Sequence, residues 1–495
     1  MKPPTVKVQL GNRWAVFDCD PDVQVRLKRW FSYEVPGGTF SEAFRCGSWD
    51  GRANMMARGR VAASLFVRRW KELDKKFQLI VTDERKRPEF KTLPYGELRP
   101  YQITGLEKMI AASNCGGIVL VGTGAGKTRM AGALFARLVG NGMFICDELA
   151  LLEQSRKALE AEIGEEIGVV GRSEFKPRRI TVATSQTLHR HRDQGKFKKW
   201  FKKIDVVITD EAHVEVNERS VEIIQRMLPL ASFGLTATLE LSKPHVRLPA
   251  IALYGPVVFR YPINEGVKDG YLSDGVICQV GFHDPLMGVA PAYPTLVDGK
   301  KVWIEAGSQA AEYRRRVCLN RSRNDCIEGI VREGLRRGRK IVVLVDWKIH
   351  LKMLDTRFTD VKHRSLSGAV KSIIRLEAMR EMDAGELNLI LASKVFAKGV
   401  DISEVSMIVD ATGLPSRNNA LQRYGRGARK AKSRDLLWYV DIADIGNRFS
   451  GAGHARLKAL KEIGAPIVSV KWCGNPEEIL NKIEGVSCEK LKRCI

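Results

Sequence analysis

Hydrophobic residues in this chain gather in short runs, and most runs are followed by a longer segment of helical periodicity. "GIVLV" (117–121) leads through a Gly-rich turn into "KTRMAGALFARLV". "MFIC" (143–146), "ITVAT" (180–184), "DVVIT" (205–209) and "SFGLT" (232–236) repeat the arrangement. Short apolar strands alternating with helices predict a parallel sheet covered on both faces. A second series, "IVVLV" (341–345), "LNLILA" (387–392), "VSMIV" (405–409) and "LLWYV" (436–440), predicts a second such sheet. Between the two, residues 241–312 lose the alternation. "GFHDPLMGVAPAYPTLVDGKKVW" is rich in Gly and Pro and reads as a loop or hairpin insertion. The stretch 1–91 has short apolar runs and turn signals such as "VPGG" and "WDGR", which predict a small α+β domain. The fold expected is α/β: two tandem parallel-sheet domains preceded by a small basic α+β domain. The boundaries expected are 1–91, 92–260, 261–452 (insertion and second sheet) and a basic, partly helical tail, 453–495.

Length agrees, since 495 residues exceed one ordinary core and suggest about three domains of ~150 residues. Charge adds a partner. The net charge is +24, which favours a polyanion, most simply nucleic acid. Residues 1–91 hold 19 Lys and Arg against 11 Asp and Glu, a net of +8, and four of the nine tryptophans. Ten cysteines include no CxxC pair, so a zinc ribbon is not expected and the thiols read as reduced and mostly buried. No run approaches the ~20 apolar residues of a membrane span, and the start, "MKPPTVKVQLGNRW", lacks the apolar run of a signal peptide. A cytoplasmic protein is expected, in the nucleoid or a host cytoplasm.

The Gly-rich turn is "GTGAGKT" (122–128), placed between strand and helix where backbone N–H groups and the helix N-terminus attract phosphate oxygens. Gly122, Thr123, Gly124, Ala125 and Gly126 would cradle the phosphates, Lys127 would reach the β- and γ-phosphates, and Thr128 would bind Mg²⁺. The general pattern wants Gly at 121, where this chain has Val121, but Gly124 and Gly126 of the tight loop remain. "DVVITDEAH" (205–213) ends an apolar strand in two carboxylates, at the sheet edge where open α/β folds bind ligands. Asp210 would hold Mg²⁺ through water, and Glu211 would orient and deprotonate the attacking water. Loop and carboxylates together point to nucleotide hydrolysis. Gln102 of "LRPYQ" (98–102) has an amide able to donate and accept at once, as an adenine edge requires.

At this point the residues resemble superfamily 2 helicases and translocases. "LRPYQ" is similar to their Q-type motif, "VGTGAGKT" to motif I, "ICDELALLEQ" (145–154) and "VATSQTL" (182–188) to Ia and Ib, "DEAH" to II and "TAT" (236–238) to III. "ASKVFAKGVDI" (392–402) is similar to motif V and "QRYGRGAR" (422–429) to motif VI. The four letters DEAH do not make it a DEAH-box RNA helicase. The "LRPYQ" start and "QRYGRGAR" are more like DNA-directed branches, XPB-like and phage UvsW-like, and "FSYEVPGGTFSEAFRCGSWDGR" (31–52) resembles the small domain preceding the UvsW-type motor.

The resemblance implies two RecA-like domains with ATP and Mg²⁺ between them. Gly399 and Asp401 of motif V and Gln422, Arg426 and Arg429 of motif VI would complete the site. An arginine against the γ-phosphate stabilises charge in the transition state, and Arg423 would serve structure or DNA. His213 would bridge motifs. Thr236 and Thr238 would couple ATP to the strand-binding surface or simply be strand-end hydroxyls. Ser393 and Lys394 would touch nucleic-acid phosphates. In the N-terminal domain Arg45, Arg52, Arg58, Arg60, Arg68 and Arg69 would form a duplex-binding face, while the tryptophans would supply its core. "GKFKKWFKKI" (195–204) interleaves basic and aromatic residues, but Phe197, Trp200, Phe201 and Ile204 follow helical spacing and read as core.

The function expected is ATP-dependent remodelling of branched or double-stranded DNA by a monomer: branch migration, fork regression and R-loop unwinding, in recombination, repair or replication. The alternatives are an RNA helicase or RNP remodeller, acting on RNA or RNA–DNA hybrid, and a nucleic-acid clamp that binds ATP without cycling.

Overall fold

The computed structural model describes residues 3–147, 149–212, 218–239, 241–283, 295–297, 300–302, 309–368, 370, 372–393, 405–414, 417–428 and 436–494. Apart from Thr123–Ala125, which group with the second, they divide into two compact units with the break between Pro262 and Ile263.

The first unit opens with a four-stranded sheet in the order Arg60–Ala62, Trp14–Asp18, Thr5–Leu10, Gln78–Asp83. Thr5–Leu10 alternates strictly: Val6, Val8 and Leu10 face the core, and Lys7 and Gln9 face out, as period-two patterning requires. Helices Pro21–Trp30 and Ala63–Asp74 contribute Leu27, Phe66 and Leu73 to the same core. Trp14, Trp30, Trp49 and Trp70 are only partly buried. The core expected from tryptophan is instead built from Phe17, Phe31, Phe66 and Phe77. Polar bonds tie this domain to the next. The Asn12 amide donates to the carbonyls of Lys86 (2.6 Å), Asn114 (3.2 Å) and Leu230 (2.9 Å) and accepts from the Lys86 N–H (2.8 Å). Ser64 donates to the Ile251 carbonyl at 2.6 Å.

The second part of this unit is an eight-stranded sheet: Glu174–Lys176, Gly168–Gly171, Ile180–Thr184, Asn141–Cys146, Ile204–Thr209, Ala231–Thr236, Gly116–Val121, Val257–Tyr261. Only the first pairing is antiparallel. Strands buried on both faces read as unbroken apolar runs, and the five runs of the first series all fall on them. Helix Gly195–Phe201 buries Phe197, Trp200 and Phe201, so its aromatics are core and its lysines face solvent.

The second unit holds a seven-stranded parallel sheet: His363–Leu366, Leu389–Ala392, Ile341–Leu344, Met407–Asp410, Leu437–Ile445, Gly275–His283, Ile467–Lys471. Besides an antiparallel pair, Thr295–Val297 with Lys300–Val302, two strands of the large sheets fall where the pattern predicts an irregular insertion. Val257–Tyr261 closes the edge of the first sheet beside the Gly-rich-turn strand, and Gly275–His283 lies inside the second. Chain order hid them: each pairs with a strand far from it in sequence. Helix Pro476–Cys494 packs Ile479, Leu480 and Ile483 against the second sheet.

Candidate functional site

The apolar strand Gly116–Val121 ends just before Gly122, and the helix Lys127–Arg137 begins at Lys127. The helix buries Met130, Ala131, Leu134 and Phe135, which fixes its N-terminus at the sheet edge. In the loop between them Gly124 and Gly126 have φ of +83° and +81°, a region where glycine alone is unstrained. Gly126 is the residue before the helix, so the first N–H groups of that helix open onto the loop.

Gln102 belongs to the same construction. Pro100 starts helix Pro100–Ala111, and the Gln102 side chain accepts from the Arg99 N–H at 2.9 Å, capping the first turn from its third position. The side chain is buried, and its Nε2 stands 2.4 Å from where a Cβ on Gly126 would lie. Tyr101 stacks on Tyr261 with ring centroids 3.7 Å apart and planes 4° apart. The Q-type segment is thus fastened to the loop on one side and to the edge strand on the other.

Asp210 and Glu211 follow strand Ile204–Thr209, at the same sheet edge as the loop. The Asp210 N–H donates to the Ile145 carbonyl at 2.9 Å, and Asp210 Oδ1 accepts from the Glu211 N–H at 3.0 Å. Glu211 has φ of +47°, a conformation that costs a non-glycine residue ~1–3 kcal/mol. The turn carries its carboxylate to Lys127, with Nζ 3.1 Å from Oε1. Two residues 84 apart in sequence therefore meet as a half-buried ion pair. Thr236 ends the neighbouring strand and bonds Thr238 just beyond it: Thr236 Oγ1 donates to the Thr238 carbonyl (3.0 Å) and accepts from its N–H (3.2 Å). Both are buried.

In the second unit, helix Arg417–Gly427 carries Gln422, Arg423 and Arg426. Gln422 and Arg423 are buried. Arg423 Nη1 lies 3.0 and 2.9 Å from the two oxygens of Asp410 and 2.8 Å from Thr412 Oγ1. Asp410 also accepts from the hydroxyls of Thr412 and Tyr439, each at 2.6 Å. Burial pushes the Asp410 carboxyl up, but Arg423, Arg456 and these bonds pull it down to about 2. Similar pairs flank it: Arg456 with Asp441 at 2.7 Å and Arg323 with Asp444 at 2.9 Å. Arg423 thus has its anion inside its own domain. Ser393 is buried, and its N–H donates to the Leu366 carbonyl at 3.0 Å. His213, Lys394, Gly399, Asp401 and Arg429 lie outside the described residues.

Asp410 is not a residue the motif patterns point to, yet a signal exists. "SMIVD" (406–410) ends an apolar strand in aspartate, the form that "DVVITD" (205–210) has in the first sheet.

Among the N-terminal arginines, Arg45, Arg58, Arg60 and Arg68 are exposed. Arg58 has φ of +50° in a tight turn with Gly59. Arg52 is engaged within its strand pair, donating to Ser32 Oγ (3.0 Å) and to Glu34 Oε1 (3.2 Å). Arg69 pairs with Glu72 at 2.8 Å and lies over Trp30.

Family models match three stretches in chain order. These are DNA helicase UvsW, N-terminal, over 7–79; type III restriction enzyme, res subunit, over 95–241; and the helicase conserved C-terminal domain over 323–431. The chain is 24% identical to the DNA 3'-5' translocase XPB2 of Sulfurisphaera tokodaii, over 71% of this chain and 82% of that protein. It is 22% identical to the ATP-dependent DNA helicase uvsW of Enterobacteria phage T4, over 86% of this chain and 88% of that protein. Among solved structures, S. cerevisiae Dbp5 bound to RNA and ADP BeF3 aligns over 79% of this chain and 98% of that one, with TM-score 0.53 at 14% identity. That likeness speaks for the fold, two RecA-like domains.

Proposed function

We propose that this chain, a superfamily 2 DNA helicase with ATP-hydrolysing RecA-like domains, uses ATP to translocate on and remodel branched or double-stranded DNA. The observation that carries the reading is the meeting of the Gly-rich loop with the acidic turn, Lys127 lying 3.1 Å from Glu211. A lysine that guards the phosphate cradle and a carboxylate that can activate water stand at one sheet edge.

In this reading ATP displaces Glu211 from Lys127. Lys127 then neutralises the β- and γ-phosphates, and the freed Glu211 orients water for attack. Gln102, already seated against Gly126, reads the adenine. Thr128 and Asp210 would hold Mg²⁺. A hydroxyl and a carboxylate are hard oxygen donors, and an ion that keeps waters and phosphate oxygens needs few protein ligands. The metal would supply positive charge against the phosphates. Arg426 and Arg429 would stabilise the γ-phosphate charge, Gln422, Gly399 and Asp401 would help bind the nucleotide, and His213, Thr236 and Thr238 would relay its state.

DNA rather than RNA is favoured by the UvsW-type N-terminal domain over 7–79 and by its exposed arginines, which suit backbone contacts without base readout. Branch migration, fork regression and R-loop unwinding are the reactions such a chain would drive. The test is phosphate release with single-stranded, duplex, forked and four-way DNA, with RNA, and with RNA–DNA hybrid. The strongest stimulation is expected with forked or four-way DNA. Greater stimulation by RNA would replace this reading with an RNA motor. Turnover indifferent to every nucleic acid would refute both.

A further inference from the structure

We infer that the seam between the N-terminal domain and the first parallel-sheet domain is a binding pocket for a phosphate ester of mononucleotide size. The cavity there measures about 300 Å³, at the small end of ligand sites. Arg13, Trp14, Asn54 and Arg60 line it from the N-terminal domain, and Gln225 and Leu253 from the other side.

Its charge is one-signed. No Asp or Glu lines the cavity, and among the described residues neither Arg13 nor Arg60 has a carboxylate partner. Arg13 donates through Nη1 to the Leu253 carbonyl at 3.0 Å, while its Nε is shut off from solvent with no acceptor. The buried arginines of the second unit are treated differently. Arg323, Arg423 and Arg456 each face an aspartate at 2.9 Å or less. Arg13 is half-buried and lines the cavity without an anion; a partly desolvated guanidinium gains from an anion that enters beside it. Burial presses the Arg13 pKa down to about 10, against opposition from Cys115 and Tyr254. It stays charged at neutral pH.

The remaining lining suits the rest of a nucleotide. Arg60 lies over the Trp14 ring, 4.7 Å from its centroid, so a cation and an aromatic face adjoin. Guanidinium N–H pairs match phosphate oxygens, indole stacks on a base, and the Asn54 and Gln225 amides can both donate and accept. The ligand is either an unpaired nucleotide of a bound nucleic acid or a free nucleotide. The inference goes beyond the motor reading and does not rest on it.

The experiment uses the full chain and the fluorescence that disappears in Trp14→Phe. Thymidine 5'-monophosphate should quench it saturably, with thymidine at least tenfold weaker. Arg60→Ala is the informative variant, because Arg60 is exposed and its removal leaves the Arg13 bond across the seam in place. It should weaken the monophosphate at least tenfold. Lys127→Ala, which disables the proposed motor, should keep the signal, so failure of one reading is separable from failure of the other. Competition by a duplex with a single-nucleotide gap assigns the ligand to nucleic acid; a signal that such a duplex does not displace assigns it to a free nucleotide. Either result supports the pocket. Equal quenching by thymidine, unchanged affinity in Arg60→Ala, or no Trp14-dependent signal would overturn it.

Discussion

Replacing Asp410 with asparagine should unlock the arginine helix of the second unit. Asp410 is fully buried and receives Arg423, Thr412 and Tyr439 at once. Asparagine keeps the shape, removes the charge and turns one acceptor into a donor among donors. Arg423 is left with Asp346 at 3.6 Å. Stranding one partner of a buried pair costs about 3 to 5 kcal/mol. The acidity of the group points the same way: a carboxyl held at about 2 rather than ~3.9 represents about 2 to 3 kcal/mol in favour of its ionised form. Against domain stabilities of ~5–15 kcal/mol that is a large fraction. Urea unfolding of the full chain, followed by circular dichroism, should show the weaker transition moved down by ~1–3 M. The double variant Asp410→Asn with Arg423→Met should recover much of the loss, since apolar replacement of a buried pair is often neutral. The folded pKa lies below the unfolded one, so the pair's contribution is complete above pH ~4 and fades as pH falls toward 2. The gap between wild type and Asp410→Asn should therefore close over that window. A single-variant loss under 1 kcal/mol, or a double variant no more stable than the single, would refute the reasoning.

Lys127→Ala should abolish DNA-stimulated phosphate release while fluorescence-anisotropy binding of DNA stays within a few-fold. Glu211→Gln loosens the pair with Lys127 and removes the proposed base; ATP should bind at least as tightly as in wild type, with turnover down ~100-fold or more. Gly126→Ala would set a methyl 2.4 Å from Gln102 Nε2 at φ of +81°, so the KM for ATP should rise at least tenfold in steady-state assays with little change in DNA affinity. DNA affinity measured from 50 to 200 mM salt should fall linearly on logarithmic axes, with a slope that counts phosphate contacts; Arg58→Ala or Arg60→Ala should each shallow it by about one.

Much of the fold is legible because parallel strands buried on both faces must be apolar throughout, and nine such runs coincide with strands of the two sheets. Val257–Tyr261 and Gly275–His283 were not legible as members of different sheets, because partners remote in sequence decide where they pair. The small domain shows the limit of composition. Its tryptophans are numerous but half-buried, and phenylalanine fills the core.

The local sequence determines the loop and the helices that carry the candidate chemistry. Glycines that tolerate positive φ, a proline that starts a helix and an aspartate that ends a strand are constraints acting within a few residues. Tertiary structure decides which charges meet. Three arginines stand at three-residue spacing in "QRYGRGAR" (422–429), and spacing alone treats them alike. The sheet behind them separates Arg423, because Asp410 at a strand end neutralises it, Thr412 accepts beside it, and Tyr439 from the next strand holds the Asp410 carboxylate. Lys127 meets Glu211 for the same reason. Coulomb energy depends on distance and burial, and those are properties of the folded chain.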